Sequence, residues 1–365
     1  MASTMHRREA LTRLFGALAA PAVAPELRPA AGAALPVVST LIGTGAPGYS
    51  AQQVNDPYGL VIGPDRALYF CDLGNQRIRR LDLRTRAVVT VAGDGAKAYA
   101  GDGGKATEAS LSMPHEIQFD AAGHLYIAER DNHVIRRVAA GSGLISTLAG
   151  TGEAGFAGDG GPAARALLRQ PHSIALEPGG RRLFICDVGN HRLRAVDLRS
   201  GTIATVGGTG ERGATPDGGR LDRSPLHGPR TMAFDRRGHL YLALREGNAI
   251  HRVDAAGTIH HVAGTGAQGY GGDGGPAHLA TLAGPKGLAW GRGGLYVVDT
   301  ENHVIRRIDL RSGVITTVLG TGKRGDGPDG DPLRCALSRP HGVLVDARGA
   351  VYVGDSEAHR IRVVA

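Results

Sequence analysis

Cysteine is scarce in this chain, three residues in 365, and aromatic residues make up only 4% of it. Three cysteines cannot staple a disulfide scaffold. Cys71 and Cys186 stand just before an Asp in units that are not neighbours, so they read as buried strand residues. Cys335 falls in a connecting loop as an unpaired thiol. Few aromatics leave little to stack on exposed bases, which argues against single-stranded nucleic acid as the partner. Also missing are a Gly-x-Ser-x-Gly elbow, a phosphate-binding loop and a dinucleotide fingerprint. Serine hydrolase and nucleotide chemistry therefore have no motif to rest on. What is abundant is glycine, 57 residues, together with short β-branched runs bounded by Gly, Pro, Asn and Asp. That is the texture of an all-β chain with many tight turns. With 42% hydrophobic residues there is material for a core.

The formal net charge of +8 suggests an anionic partner. Much of it comes from Arg recurring once per unit (Arg79, Arg136, Arg194, Arg306), a placement that reads as solvated or as packing between units rather than as a nucleic-acid surface. At the N-terminus, His6-Arg7-Arg8-Glu9-Ala10-Leu11 precedes an apolar stretch, Leu14 to Ala24, too short to span a bilayer. Ala31-Gly32-Ala33 follows as a cleavage signature. Residues 1–33 read as a twin-arginine-like export signal, with Ala10 where that pattern often carries Phe. The expectation is an exported bacterial protein, periplasmic or extracellular, without a transmembrane segment in the mature chain and monomeric.

Internal repeats organise the rest. Six units align on a proline: Pro57-Tyr58-Gly59, Pro114-His115-Glu116, Pro171-His172-Ser173, Pro229-Arg230-Thr231, Pro285-Lys286-Gly287 and Pro340-His341-Gly342. Successive prolines lie 57, 57, 58, 56 and 55 residues apart. Each unit reads as four strands, a to d; in the second, Glu116–Phe119, His124–Ala128, Val134–Val138 and Leu144–Ala149. The sixth unit stops after strand c at Ala365, yet Val37–Ile42 matches the strand-d segments of the others. The N-terminal strand therefore completes the last blade, and residues 37–365 form a closed six-bladed β-propeller without an exposed edge.

Asp131-Asn132-His133-Val134-Ile135-Arg136-Arg137, Asp187-Val188-Gly189-Asn190-His191-Arg192-Leu193-Arg194 and Glu301-Asn302-His303-Val304-Ile305-Arg306-Arg307 resemble the signature of the NHL repeat. The resemblance covers everything after the signal and implies the propeller fold without fixing an activity.

The residue after each proline belongs at the entry of an innermost strand, so six of them converge on one mouth of the axial channel. Tyr58, His115, His172, Arg230, Lys286 and His341 make a cationic, titratable ring. The ring is also similar to that of NHL-fold amidating lyases, which cleave peptidyl-α-hydroxyglycine with an axial zinc held by Pro-His segments. That resemblance implies His115, His172 and His341 as zinc ligands, with Tyr58 as base and Arg230 as anion stabiliser. Here the histidines come from blades two, three and six rather than from alternate blades. Other readings of the ring are hydrophilic lining of the channel mouth, or an anion held by Arg230, Lys286 and the histidines. Glu116 either orients His115 or pairs with Arg230 or Lys286.

Two repeated sets read as architecture. The Gly-Asp-Gly-Gly connections resemble hard-cation ligands only loosely, with usually one carboxylate per loop, and fit turns better. The Asp-x-x-Asn pairs bond the backbone locally. Blade four departs most, with Leu244-Arg245-Glu246-Gly247-Asn248 in place of that pair and a shifted loop over 208–227. The first functional expectation is a binding module for a protein, glycan or small anionic ligand at the axial face. The second is a zinc-dependent lyase or hydrolase at the axial mouth, and a distant third is RNA binding.

Overall fold

A computed structural model describes residues 36–365; residues 1–33, expected from the sequence to be an export signal, lie outside the described residues. Among them are six four-stranded antiparallel sheets, each a blade. Blade three shows the pattern: strand a Pro171–Leu176, b Arg182–Asp187, c Arg192–Asp197 and d Thr202–Gly207. In blade two the strands are Pro114–Phe119, Leu125–Glu129, Val134–Val138 and Ile145–Ala149, within two residues of the sequence expectation. The inner strands contact one another in a closed ring. Blade six pairs Gly342–Val345, Val351–Asp355 and Arg360–Val364 with the N-terminal strand Val38–Ile42. Val37 and Ala365 exchange both backbone hydrogen bonds, at 3.0 and 3.1 Å. Every blade thus has four strands, and no partial blade is left open at the seam.

The apolar core lies between blades. Ile117, Ile127 and Ile135 are fully buried, and Ile117 and Ile127 pack with Cys71, Ile78 and Leu111 of the preceding blade and its connection. Each such side chain contributes about 1.5–3 kcal/mol on burial. All three cysteines are free and buried. No described helix is long and apolar enough to cross a membrane.

The recurring arginines are not solvated. Arg136, Arg194 and Arg306 are 0% exposed, Arg362 1% and Arg79 3%. Each pairs with the carboxylate seven residues earlier, at the end of strand b: Asp72, Glu129, Asp187, Asp299 and Asp355, at 2.8 to 3.6 Å. A connecting-loop carboxylate takes a second bond from Arg136 (Asp102), Arg194 (Asp159), Arg306 (Asp273) and Arg362 (Asp326). An aromatic ring roofs the guanidinium in four cases: Tyr49, Tyr99, Phe156 and Tyr270. The Asp-x-x-Asn pair joins this lock, since Asn190 donates to Asp187 at 2.8 Å and Asp187 accepts from the Arg169 N–H at 2.7 Å. The glycine-rich connections therefore supply counter-ions to arginine.

Candidate functional site at the axial mouth

The backbone at each strand-a entry is built to aim one side chain. In blades two to five the pairing of strands a and b slips at that point, between Pro114 and Glu116, Pro171 and Ser173, Pro229 and Thr231, and Pro285 and Gly287. His115, His172, Arg230 and Lys286 are the extra residues, and such bulges re-aim a side chain. The residue before each proline is left-handed in all six blades. Four of these are not glycine: Asp56, Met113, Gln170 and Arg339, at φ between 44° and 54°. Conformations of that kind are costly for side-chain-bearing residues and gather at functional positions. One result is that the Met113 and Gln170 carbonyls accept Nδ1–H from His115 and His172, both at 2.8 Å. Among the described residues nothing takes the Nε2 lone pairs of these two imidazoles.

The ring residues do converge. The Tyr58 ring stacks on His341 at 4.1 Å and meets His115 edge-on at 4.8 Å; His115 meets His172 edge-on at 4.8 Å. The Tyr58 hydroxyl and His341 Nε2 share a hydrogen bond of 3.0 Å. Burial, reinforced by Arg230, holds all three histidines well below their usual pKa, so they are neutral at pH 7. Burial likewise raises the Tyr58 hydroxyl, which stays protonated and is no base at neutral pH.

The zinc arrangement is not formed. Among the described residues no three His, Cys, Asp or Glu side chains are placed to hold a metal ion. The cause is visible in the ring: Tyr58 stands between His115 and His341 and occupies the Nε2 of His341. The residues present do not fit an axial metal.

The two cations differ. Lys286 donates to Glu301 at 2.7 Å, and Glu301 also accepts from Arg339, which reaches Glu357. Burial brings Lys286 down to about 8 despite this partner. Arg230 is 5% exposed yet has no ion pair and no hydrogen bond among the described residues. Burial lowers it to about 10, so it remains charged at pH 7. Among the described residues Glu116 pairs with neither cation, and His115 is oriented by the Met113 carbonyl instead. The Glu116 carboxyl lies over Gly59, where a Cβ would collide with it. Burial raises Glu116 to about 8, against the pull of Arg230, which leaves it mostly protonated at pH 7.

Behind the ring, the channel holds a cavity of about 240 Å³ whose walls include Leu60, Met232, Trp290 and Leu344. Glu116 is the single ionisable residue on those walls. The ring is therefore a polar collar at the mouth of a tube whose walls mix apolar side chains with Glu116, Gln118 and Thr231. Sequence reasoning missed Arg339, although it holds the same pre-proline place as Asp56, Met113 and Gln170.

Fold and repeat agree on the class: the chain is a six-bladed propeller, and its residues 337–364 match the NHL repeat model. Human NHL repeat-containing protein 2 is 26% identical over 340 residues, 87% of this chain and 40% of that protein. Protein SUPPRESSOR OF QUENCHING 1, chloroplastic, of Arabidopsis thaliana is 26% identical over 281 residues, 72% of this chain and 26% of that protein. The chain thus spans about a quarter to two fifths of the length of these curated relatives. Among solved structures, an auxiliary nutrient binding protein from Bacteroides thetaiotaomicron superposes with a TM-score of 0.66 at 18% identity. The match covers 91% of this chain and 76% of that one.

Proposed function

We propose that the protein is a binding module that takes a small carboxylate with an apolar tail at its axial mouth. One observation carries the reading: Arg230 is a buried, charged guanidinium with no anion among the described residues to answer it, in a collar whose imidazoles are neutral. A buried charge is tolerated when a partner completes it, and a bidentate carboxylate suits a guanidinium. In the tube behind the collar, Leu60, Met232, Trp290 and Leu344 give the tail of such a ligand its place. A nutrient-binding description attached to a structural neighbour agrees with a binding role. The Arg7-Arg8 motif supports action outside the cytoplasm.

Calorimetry with hexanoate tests this. The full chain should bind it at one site, hexylamine should not bind there, and Arg230→Met should weaken hexanoate by at least about tenfold, the weight of a charge-assisted hydrogen bond. Affinity should fall as pH rises through about 8, because Glu116 then ionises beside the anion, and Glu116→Gln should flatten that slope. Hexanoate binding indifferent to Arg230→Met would sink the reading.

A further inference from the structure

Blade four lacks the arginine lock. The strand-c arginine position is His251, the strand-b carboxylate position is Leu244, and the roofing aromatic position is Ala214. In this place lies a cavity of about 450 Å³, with Thr215, Asp217, Leu244, His251 and His261 among its walls. It is separate from the axial tube.

The exchange removed the cation but kept its counter-ion. Asp217 stands where Asp102, Asp159 and Asp273 stand. In blades two and five that carboxylate divides its oxygens: one accepts from a strand-d N–H (Thr147, Thr317) and the other from the buried arginine. Asp217 Oδ1 accepts from the His261 N–H at 2.8 Å, and among the described residues no side chain takes Oδ2. Asp217 stays ionised, held below the usual carboxylate range chiefly by that N–H. The second orphan is His251, 5% exposed, with no partner for its buried Nδ1. Its ring lies 5.4 Å from that of His261, whose Nε2–H donates to the Gly264 carbonyl at 2.7 Å. Burial keeps His251 neutral, near 4, so it offers no charge to Asp217. Glu246, also on the wall, is paired with Arg245. The cavity therefore presents an unanswered carboxylate and an unanswered imidazole nitrogen, in a recess where its sister blades hold a guanidinium.

The geometry points to a binding site for a small organic cation with a guanidinium head, seated where the other five blades seat an arginine side chain. Its planar donors would meet Asp217 Oδ2 and the imidazole of His251, and its short alkyl stem would lie against Leu244 and Ala249 on the wall. Guanidinium suits this better than ammonium, since it is weakly hydrated and gives parallel donors.

Calorimetry on the full chain with n-propylguanidinium at low concentration reads this out. One saturable site is expected for it, and none for n-propylurea or propionate. Asp217→Asn should weaken binding at least about tenfold. His251→Arg should abolish binding and raise the thermal midpoint, because it returns the missing side chain. If Asp217→Asn does not fold, Ala214→Tyr, which restores the roof of the lock, should block the ligand instead. Arg230→Met should leave this binding unchanged, which separates the site from the axial one. Absence of saturable binding overturns the proposal, as does equal binding of propylurea, or undiminished binding in folded His251→Arg.

Discussion

Blades three and four have the same four-strand plan and nearly the same strand lengths, Pro171–Gly207 against Pro229–Ala263, yet they are held together differently. Blade three buries Arg194 against Asp187 and Asp159 beneath Phe156. Blade four forms the same sheet with His251, Leu244 and Ala214 at those places. The lock is therefore dispensable for making a blade. Its strand pairing and the Leu, Ile and Val packed between neighbours suffice for that. What the lock does is fix the long connection over the sheet, since besides the strand-b carboxylate its partners are loop carbonyls and a loop carboxylate. A blade freed of it can hold a cavity.

The largest test of this contrast is Arg194→Met. It strands Asp187 at 0% exposure without its guanidinium, and breaking a buried pair costs about 3–5 kcal/mol. Urea unfolding should show that loss, while His251→Met, which deletes an unpartnered ring, should change stability by less than about 1 kcal/mol. Comparable losses in the two variants would break the comparison. Phe156→Ala should be milder: its ring lies 3.9 Å from the Arg192 guanidinium and 5.0 Å from that of Arg194, and a partly exposed cation–π contact is worth about 0.5–1 kcal/mol. The smallest effect concerns acid. His251 sits near 4 in the folded protein, below the 6.5 of the free side chain. The unfolded chain therefore takes up that proton first, and stability must fall as pH drops from 6.5 toward 4. The axial histidines act in the same direction. His251→Leu should remove only one share of the slope, visible as a shallower dependence of thermal midpoint on pH.

The repeat, its four strands and the closure of the ring were legible because each unit repeats its turn residues at nearly constant spacing. The convergence of Tyr58, His115, His172, Arg230, Lys286 and His341 followed from that periodicity alone. What the residues do to one another did not follow. Whether Lys286 is answered and Arg230 is not depends on Glu301 and Arg339, brought in from blade five and the connection into blade six by the curvature of the ring. The arginine lock could have been read: a carboxylate stands seven residues before Arg79, Arg136, Arg194, Arg306 and Arg362. Leu244 and His251 break that pair together. The sequence left the recurring arginines between a solvated place and packing between units, and the paired carboxylate decides for packing.

The seam between Val38–Ile42 and Arg360–Val364 also sets how the molecule yields to force. The strands run antiparallel, with Val38 opposite Val364 and Ile42 opposite Ile361. A pull between Val37 and Ala365 meets both strands at the same end, so it loads their hydrogen bonds one after another, as a zipper opens, rather than all at once in shear. A tether at either side of this junction would thus peel blade six first and leave blades one to five stacked.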